Sequence, residues 1–416
     1  MTEPSILVGG TGHLLGPAPH TVEHLAAYRS RGGNRTGPTP DELLDLVEEA
    51  ELLGRGGAAF PLALKLRSVR ERPGPRVVVA NGAEGEPGSV KDRHLMRARP
   101  YLVLDGLRRA CEVIGADRGY LYVADPVAAE RLRAALAVAP PPVPIVVVEA
   151  VSTYVAGEES AAVRFLDGGP ALPTAKPPRV FERGVGGAPT LVANVETLAH
   201  LALLAAGRSA AGDLLVTVAG AGQPPLLAEV PLGTPLRELF SRPRAVSGAL
   251  VGGMFGGLLD EKVLDLPLIP QAYAAAGGAL GCGAIWLLGP EDCPVTVAAD
   301  AVGYLAAESA RQCGICVSGT RGLADALTAL ATGADPGAGA ERLANLARWS
   351  AGLPGRGACG LLDAAARVAG SLLRLHGALA EQHTERPCPA CLAHPPAAGA
   401  RLLVPPTEPY FPQGAP

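Results

Sequence analysis

Two cysteine pairs in this chain have the spacing that holds metals or clusters. Cys313 and Cys316 stand two residues apart in ESARQCGICVSGT, residues 308–320, and Cys388 and Cys391 repeat the step in RPCPAC. In a reducing compartment, thiolates spaced this way are ligands sooner than disulfides. The first stretch holds Ala310 where a third cysteine would continue the step. A four-ligand centre there is one thiolate short unless a distant residue supplies it. Cys111 and Cys282 lie in apolar surroundings and read as buried thiols.

Acidic residues form a second constellation. VVVANGAEGEPGSVKDRH runs straight on from RVVVA, residues 76–80, and carries Asn81, Glu84 and Glu86. YVAGEESAA repeats the arrangement after IVVVEA, residues 145–150, with Gly157 followed by Glu158 and Glu159. Ligands of open α/β sheets bind outside the carboxyl ends of the strands. Carboxylates placed there suit ribose hydroxyls and amide donors and repel phosphate; singly, each loop would also serve as solvated surface. LGRGGAAFP is the complement, with Gly54, Gly56 and Gly57 baring backbone N–H groups ahead of a helix that opens at Pro61. Such a nest at a helix N-terminus takes an anion, unless it is a plain interhelical turn. Jointly the loops imply a nucleotide-like ligand with a phosphate end and a polyol end.

Of 36 basic residues only Lys65, Lys91, Lys176 and Lys262 are lysine, and the first three lie in or beside these motifs. A compact ammonium is kept where a forked guanidinium does not fit. None of the four is followed by Ser or Thr, which excludes a P-loop, and no GxSxG offers a hydrolase nucleophile. Gly54-x-Gly56-x-x-Ala59 lacks the preceding strand of a dinucleotide fingerprint. His376 falls on the polar side of a helix and reads as structural.

These residues need elements to position them. Residues 38–53 predict a helix with Thr39 as cap, Pro40 in the first turn and Gly54 as stop. A second helix follows from Pro61, and PYLVLDGLRRACEVIG predicts another. RVVVA, YLYVA (120–124) and IVVVEA are valine-rich runs of the kind buried on both faces of a parallel sheet. Short strand-like pieces broken by Gly and Pro, with one helical piece, TPLRELF, fill residues 212–265. Farther on, Leu361, Ala365, Val368, Leu372, Leu375 and Leu379 recur at helical steps and predict a bundle helix. A net charge of -4 without a basic run gives no footprint for nucleic acid. No apolar run reaches the ~18 residues of a membrane span. No signal peptide is evident, so a cytoplasmic location is expected.

GRGGAAFP, NGAEGEPGSVKDRH, YVAGEESAA, AKPPR, APTLVANVETL and QCGIC occur in this order. Together they closely resemble the NADH-binding flavoprotein subunit of respiratory complex I and its relatives in soluble hydrogenases and formate dehydrogenases. The resemblance implies an α/β, Rossmann-like FMN/NADH domain (1–210), a small β-grasp (SLBB-type) domain (211–290) and a helical bundle with an iron–sulfur site (291–385). The proline-rich residues 386–416 then read as a tail. The implied reaction passes a hydride from NADH to FMN, then single electrons to the cluster and to a ferredoxin-like or [2Fe-2S] partner subunit. Such a subunit can belong to a peripheral membrane complex without spanning the bilayer.

Carried over residue by residue, the resemblance gives Gly54, Arg55, Gly56, Gly57 and Lys65 to the FMN phosphate and ribityl chain. Asn81, Glu84, Gly157 and Asn194 complete that pocket, Phe60, Glu86, Glu159 and Lys176 face the dinucleotide, and Glu158 is a further cofactor-binding candidate. Glu86 and Glu159 are the candidates for the reacting end. Cys313, Cys316 and Cys359 stand at three of the four cluster positions, for a [4Fe-4S] or a [3Fe-4S] cluster. The chain also departs from the family. Ala83 replaces an aspartate, only Asn194 remains of a double asparagine, and Ser68 and Arg179 stand where phenylalanines sandwich the adenine. Arg179 would suit a 2′-phosphate, making NADPH the alternative to NADH. Two competing readings are a binding or scaffold relative without turnover, and a zinc site joining Cys313 and Cys316 to Cys388 and Cys391.

Overall fold

The computed structural model describes residues 2–34, 36–208, 212–240, 245–334 and 336–410. Its strands are β1 (Ser5–Val8), β2 (Val77–Gly82), β3 (Arg118–Val123), β4 (Ile145–Glu149) and β5 (Thr190–Asn194). They continue with β6 (Asp213–Gly220), β7 (Gln223–Pro231), β8 (Gly248–Val251), β9 (Leu258–Asp260) and β10 (Ala284–Leu288). The first sheet is parallel, in the order β4-β3-β2-β5. The second is mixed, in the order β1-β7-β6-β10-β8-β9.

Alternation along β2 shows how the first sheet is covered. Val78 and Ala80 join a core that includes Leu102, Leu107 and Leu198 of helices Pro100–Ile114 and Val195–Ala205. Val77 and Val79 point to the other face, against Val163 of helix Glu159–Leu166 and Val180. Burial on both faces is what the valine-rich runs predict for β2. It does not hold for β4, which is the edge strand and half exposed.

Local chemistry sets the entry to the site. Helix Pro40–Glu49 starts as expected, with Thr39 and Glu42 forming a reciprocal capping box. It ends before Gly54, because Glu51 turns the chain at φ 47°. Leu53 then bridges to Pro61 across the glycine loop, and helix Leu62–Arg70 follows.

Two expected boundaries are corrected. The N-terminal segment does not belong wholly with the first sheet, since β1 pairs with β7 of the second. Nor is the C-terminal stretch a free tail. Val404 N–H donates to Pro87 O at 2.9 Å, Thr407 Oγ1 meets buried His94 Nδ1 at 2.7 Å, and Tyr410 N–H donates to His20 O. Among the described residues the segment holds one short α-helix, Pro389–Ala393, and a single bridge from Tyr410 to Thr21, and otherwise runs as an irregular strap across the surface. Between sheet and strap, helices Pro294–Ala307, Gly314–Thr332, Gly339–Gly352 and Leu361–Gln382 form a bundle. Leu361, Ala365, Val368 and Leu372 are buried in it, and Leu375 and Leu379 pack at its margin.

Candidate functional site

Consecutive strands β2, β3 and β4 step one way across the first sheet, while β5 lies on the opposite flank of β2. The strand order therefore reverses between β2 and β5, and a crevice opens outside their carboxyl ends. Asn81 and Asn194 are register partners there. Asn81 Nδ2 donates to Gly157 O at 2.8 Å. Asn194 caps helix Val195–Ala205, its Oδ1 accepting from Glu196 N–H, and its Nδ2 donates to Asp92 at 2.6 Å.

The crevice is a cavity of about 590 Å³. Its wall includes Gly54, Gly56, Gly57, Phe60, Lys65, Asn81, Glu84, Glu86, Gly157, Glu158, Glu159, Lys176 and Asn194. Thus every predicted ligand-binding residue except Arg55 reaches one space. Gly57 has φ +113°, which favours glycine, and a methyl on Gly56 would crowd Asn194 Cβ at 3.2 Å. Arg55 is the correction. Its side chain is buried away from the cavity, with Nη2 donating to Asp213 O at 2.9 Å, and its N–H donates to Thr197 Oγ1. Cys282, expected as a plain buried thiol, lines the cavity instead.

Lys65 Nζ donates to Val192 O at 3.1 Å and lies 3.5 Å from Glu159. Lys176 Nζ pairs with Glu158 at 2.6 Å and with Glu159 at 3.5 Å. Burial works against the Lys176 ammonium, yet the two carboxylates hold its pKa above the usual lysine value. Sequence reasoning assigned Lys65 and Glu159 to different ligands, whereas the fold brings them together. Lys91 goes elsewhere. It is 1% exposed and pairs with Asp92 at 2.7 Å and Glu196 at 2.8 Å beneath the cavity floor.

Glu84 and Glu86 are partly buried in the cavity wall. Burial opposes charge on Glu84, but Arg93, Lys91 and the Ser89 hydroxyl hold its pKa below the ordinary carboxylate value. Glu86 is pushed up to about 7 by burial, only partly relieved by hydrogen bonds from Met254 N–H and Gly88 N–H. Phe60 is 47% exposed at the rim. Ser68 and Arg179 do line the cavity, but so does Phe181, which sequence reasoning missed. Arg72 lies over the Phe181 ring at 5.6 Å. An aromatic two residues beyond Arg179 was the available signal.

Ala310, Cys313, Cys316 and Cys359 line a separate small pocket at the N-terminus of helix Gly314–Thr332. The three expected cluster cysteines are thus brought together, and none of Cys293, Cys388 and Cys391 lines that pocket. Instead Cys388 and Cys391 meet Cys293 and His383. This overturns the zinc reading that joined them to Cys313 and Cys316. Phe255 connects the two sites, since it lines the large cavity and lies 3.1 Å from the Cβ position of Gly360, next to Cys359.

The residues fit their implied groups. The glycine cradle and Lys65 suit a phosphate, the acids suit hydroxyls, and three convergent thiols suit an iron–sulfur cluster. A reversed parallel sheet with this crevice, and a cysteine pocket one side chain away, defines a flavoprotein oxidoreductase of the iron–sulfur type. Comparison with known proteins agrees. Residues 47–203 match the Nuo51 FMN-binding domain, and residues 296–383 match the NADH-ubiquinone oxidoreductase-F iron-sulfur binding region. The chain is 30% identical to the F 2 subunit of the NADH-quinone oxidoreductase of Rhizobium meliloti (strain 1021), over 91% of this chain and 96% of the relative. It is 29% identical to the NADP-reducing hydrogenase subunit HndC of Solidesulfovibrio fructosivorans, over 79% and 74%. A crystal structure of an NAD+-reducing [NiFe]-hydrogenase in the air-oxidized state superposes with a TM-score of 0.76 at 28% identity, covering 93% of this chain and 72% of that one. The chain belongs to the family of NADH-quinone oxidoreductase F subunits, FMN-dependent NADH oxidoreductases that relay electrons through an iron–sulfur cluster. Among the described residues no helix is long and apolar enough to cross a membrane.

Proposed function

We propose that the cavity holds FMN with its phosphate toward Gly54, Gly56, Gly57 and Lys65, and takes the dinucleotide on the side of Glu159, Lys176, Phe60 and Phe181. One observation carries this reading: the glycine loop, both acidic strand ends and both lysines line a single cavity. Bound there, FMN supplies the exchange of a hydride for single electrons. The chain supplies position and electrostatics. Lys65, anchored on Val192 O, adds a countercharge to the loop N–H groups. Glu159, flanked by two ammonium groups at 3.5 Å, presents acceptors for hydroxyl or amide donors with its charge offset. Phe60 and Phe181 offer stacking faces of about 0.5–1.5 kcal/mol each. The loss of phenylalanine at Ser68 and Arg179 therefore does not favour a binding-only relative. Arg179, on the same wall, supports NADPH as a second substrate.

The electrons leave through the pocket of Cys313, Cys316 and Cys359 to an iron–sulfur partner subunit, which docks where Gly314 and Ile315 are exposed. The second sheet, apart from β1, is the β-grasp (SLBB-type) unit. Anaerobically purified protein should carry FMN, be bleached by NADH, and contain iron and sulfide. Absence of flavin, or flavin that neither NADH nor NADPH bleaches, would remove the enzymatic reading. Ala310→Cys should restore a third local thiolate and yield a [4Fe-4S] signal that survives brief air exposure, read by low-temperature EPR. No difference from wild type would mean that position 310 does not face the cluster.

A further inference from the structure

We propose that Cys293, His383, Cys388 and Cys391 bind one zinc ion, distinct from the iron–sulfur centre, that fastens the C-terminal strap to the helical bundle. Their four ligand atoms lie within 4.8 Å of one another, and Cys293, His383 and Cys391 are buried. His383 Nε2 is 3.6 Å from Cys293 Sγ and 3.4 Å from Cys391 Sγ. A tetrahedral zinc with Zn–S near ~2.3 Å and Zn–N near ~2.0 Å sets its nitrogen and sulfur ligands about 3.5 Å apart. His383 already stands at that separation from Cys293 and Cys391.

The surroundings are those of a ligand set. His383 Nδ1 is 2.7 Å from Leu379 O and donates its proton there, which leaves the lone pair on Nε2, toward the sulfurs and the Cys388 N–H at 3.4 Å. Thr296 Oγ1 is 2.8 Å from Cys391 Sγ and can donate to a thiolate. Cys293 stands at the N-cap of the 14-residue helix Pro294–Ala307, where thiolate charge is favoured. Three thiolates and one imidazole form a closed structural zinc set, with no position left for substrate.

An iron–sulfur cubane fits this site poorly. Its thiolates each bind a different iron of an extended cluster, so they stand farther apart than ligands sharing one ion. The matched iron–sulfur region, residues 296–383, also excludes all three of these cysteines. Among the described residues no other group of three or more His, Cys, Asp or Glu side chains gathers this tightly. Cys313, Cys316 and Cys359 share a pocket without forming such a group.

The position gives the ion a task. Cys293 and His383 belong to the bundle, while Cys388 and Cys391 begin the strap that runs on to Pro87 O, His94 and Arg97. Zinc would close the strap at its root, and the strap then covers the segment just after Glu86.

The test is elemental and does not depend on turnover. Holoprotein purified without added metal should contain about one zinc per chain beside its cluster iron, and zinc-edge X-ray absorption should fit three sulfurs and one nitrogen. Cys391→Ser and His383→Ala should lose the zinc and keep iron and flavin, while Cys316→Ser should lose iron and keep zinc. Without zinc, limited proteolysis should cut the strap after residue 385. Holoprotein without zinc, zinc bound by other atoms, a disulfide among the three cysteines, or loss of iron in place of zinc from Cys391→Ser would each overturn the proposal. If Cys391→Ser does not fold, the zinc-edge spectrum of the wild type decides alone.

Discussion

The loops after β2 and β4 look alike in sequence, NGAEGEP beside YVAGEES, and they fold into opposite roles. In the first the protein uses up the carboxylates. Glu84 accepts from Ser89 Oγ at 2.5 Å, from the N–H groups of Asp92 and Arg93, and from Arg93 Nε, while Glu86 accepts from Met254 N–H. In the second, Glu158 caps helix Glu159–Leu166, and Glu159 meets the ammonium groups of Lys65 and Lys176 in the cavity. The difference lies in the residues that come after each acid. Glu84 meets the start of helix Lys91–Ala98, whose free N–H groups claim a carboxylate. Glu159 is the first residue of its own helix, so Glu158 does the capping and Glu159 is left for the cavity.

Removing Glu84 should break this contrast most severely. Glu84→Ala leaves Arg93 without its buried partner and strips the start of helix Lys91–Ala98 of its acceptor. Leaving those donors without an acceptor costs about 1–3 kcal/mol each, and denaturant unfolding should show a loss of stability of several kcal/mol together with lost flavin. Stability within about 0.5 kcal/mol of wild type would place Glu84 among surface acids. Lys65→Ala comes next. It removes a charge-assisted contact of about 1.5–3 kcal/mol, so flavin titration of the apoprotein should weaken by about one to two decades. Unchanged retention would mean that Lys65 serves only Glu159 and Val192. Glu159→Gln is smaller still, about tenfold in kcat/KM for the dinucleotide, since an amide replaces half of the carboxylate's acceptors. Flavin content should stay at the wild-type level; losing flavin and turnover together would move Glu159 into the FMN pocket.

Much of this was legible in the residues, because the decisive signals were local. Buried valine runs, the Thr39–Glu42 cap and the glycine loop depend on nearest neighbours, and their order along the chain put them at strand ends. What stayed hidden is tertiary. IVVVEA reads as a buried strand, yet β4 is half exposed because no strand lies beyond it. A proline-rich stretch reads as a tail, and only the fold shows His94, Arg97 and Pro87 waiting for it. Arg55 stands in the middle of the anion loop, and only the position of Asp213, 158 residues away, turns it inward. CxxC spacing marked Cys388 and Cys391 as candidate ligands without revealing that Cys293 and His383 lie beside them.

Glu86 offers the subtlest test of the contrast, through pH. Its carboxyl has an ordinary value of 4.5 in the unfolded chain and about 7 in the fold, where burial disfavours the charge. Below both values each state keeps the proton, and the stabilising contribution is fully present. As pH rises from 4.5 the unfolded chain releases its proton while the folded one holds it, so the contribution shrinks and is gone above about 7. Glu86→Gln keeps an acceptor for Met254 N–H and cannot ionise. Denaturant midpoints of variant and wild type should therefore diverge in the variant's favour from about pH 4.5 to 7 and run parallel above that. Other buried groups that titrate in this window, Asp92 among them, are common to both proteins and cancel in the difference. Parallel curves throughout would show Glu86 already ionised in the fold, and would place it with Glu159 as an acid held ready for a ligand.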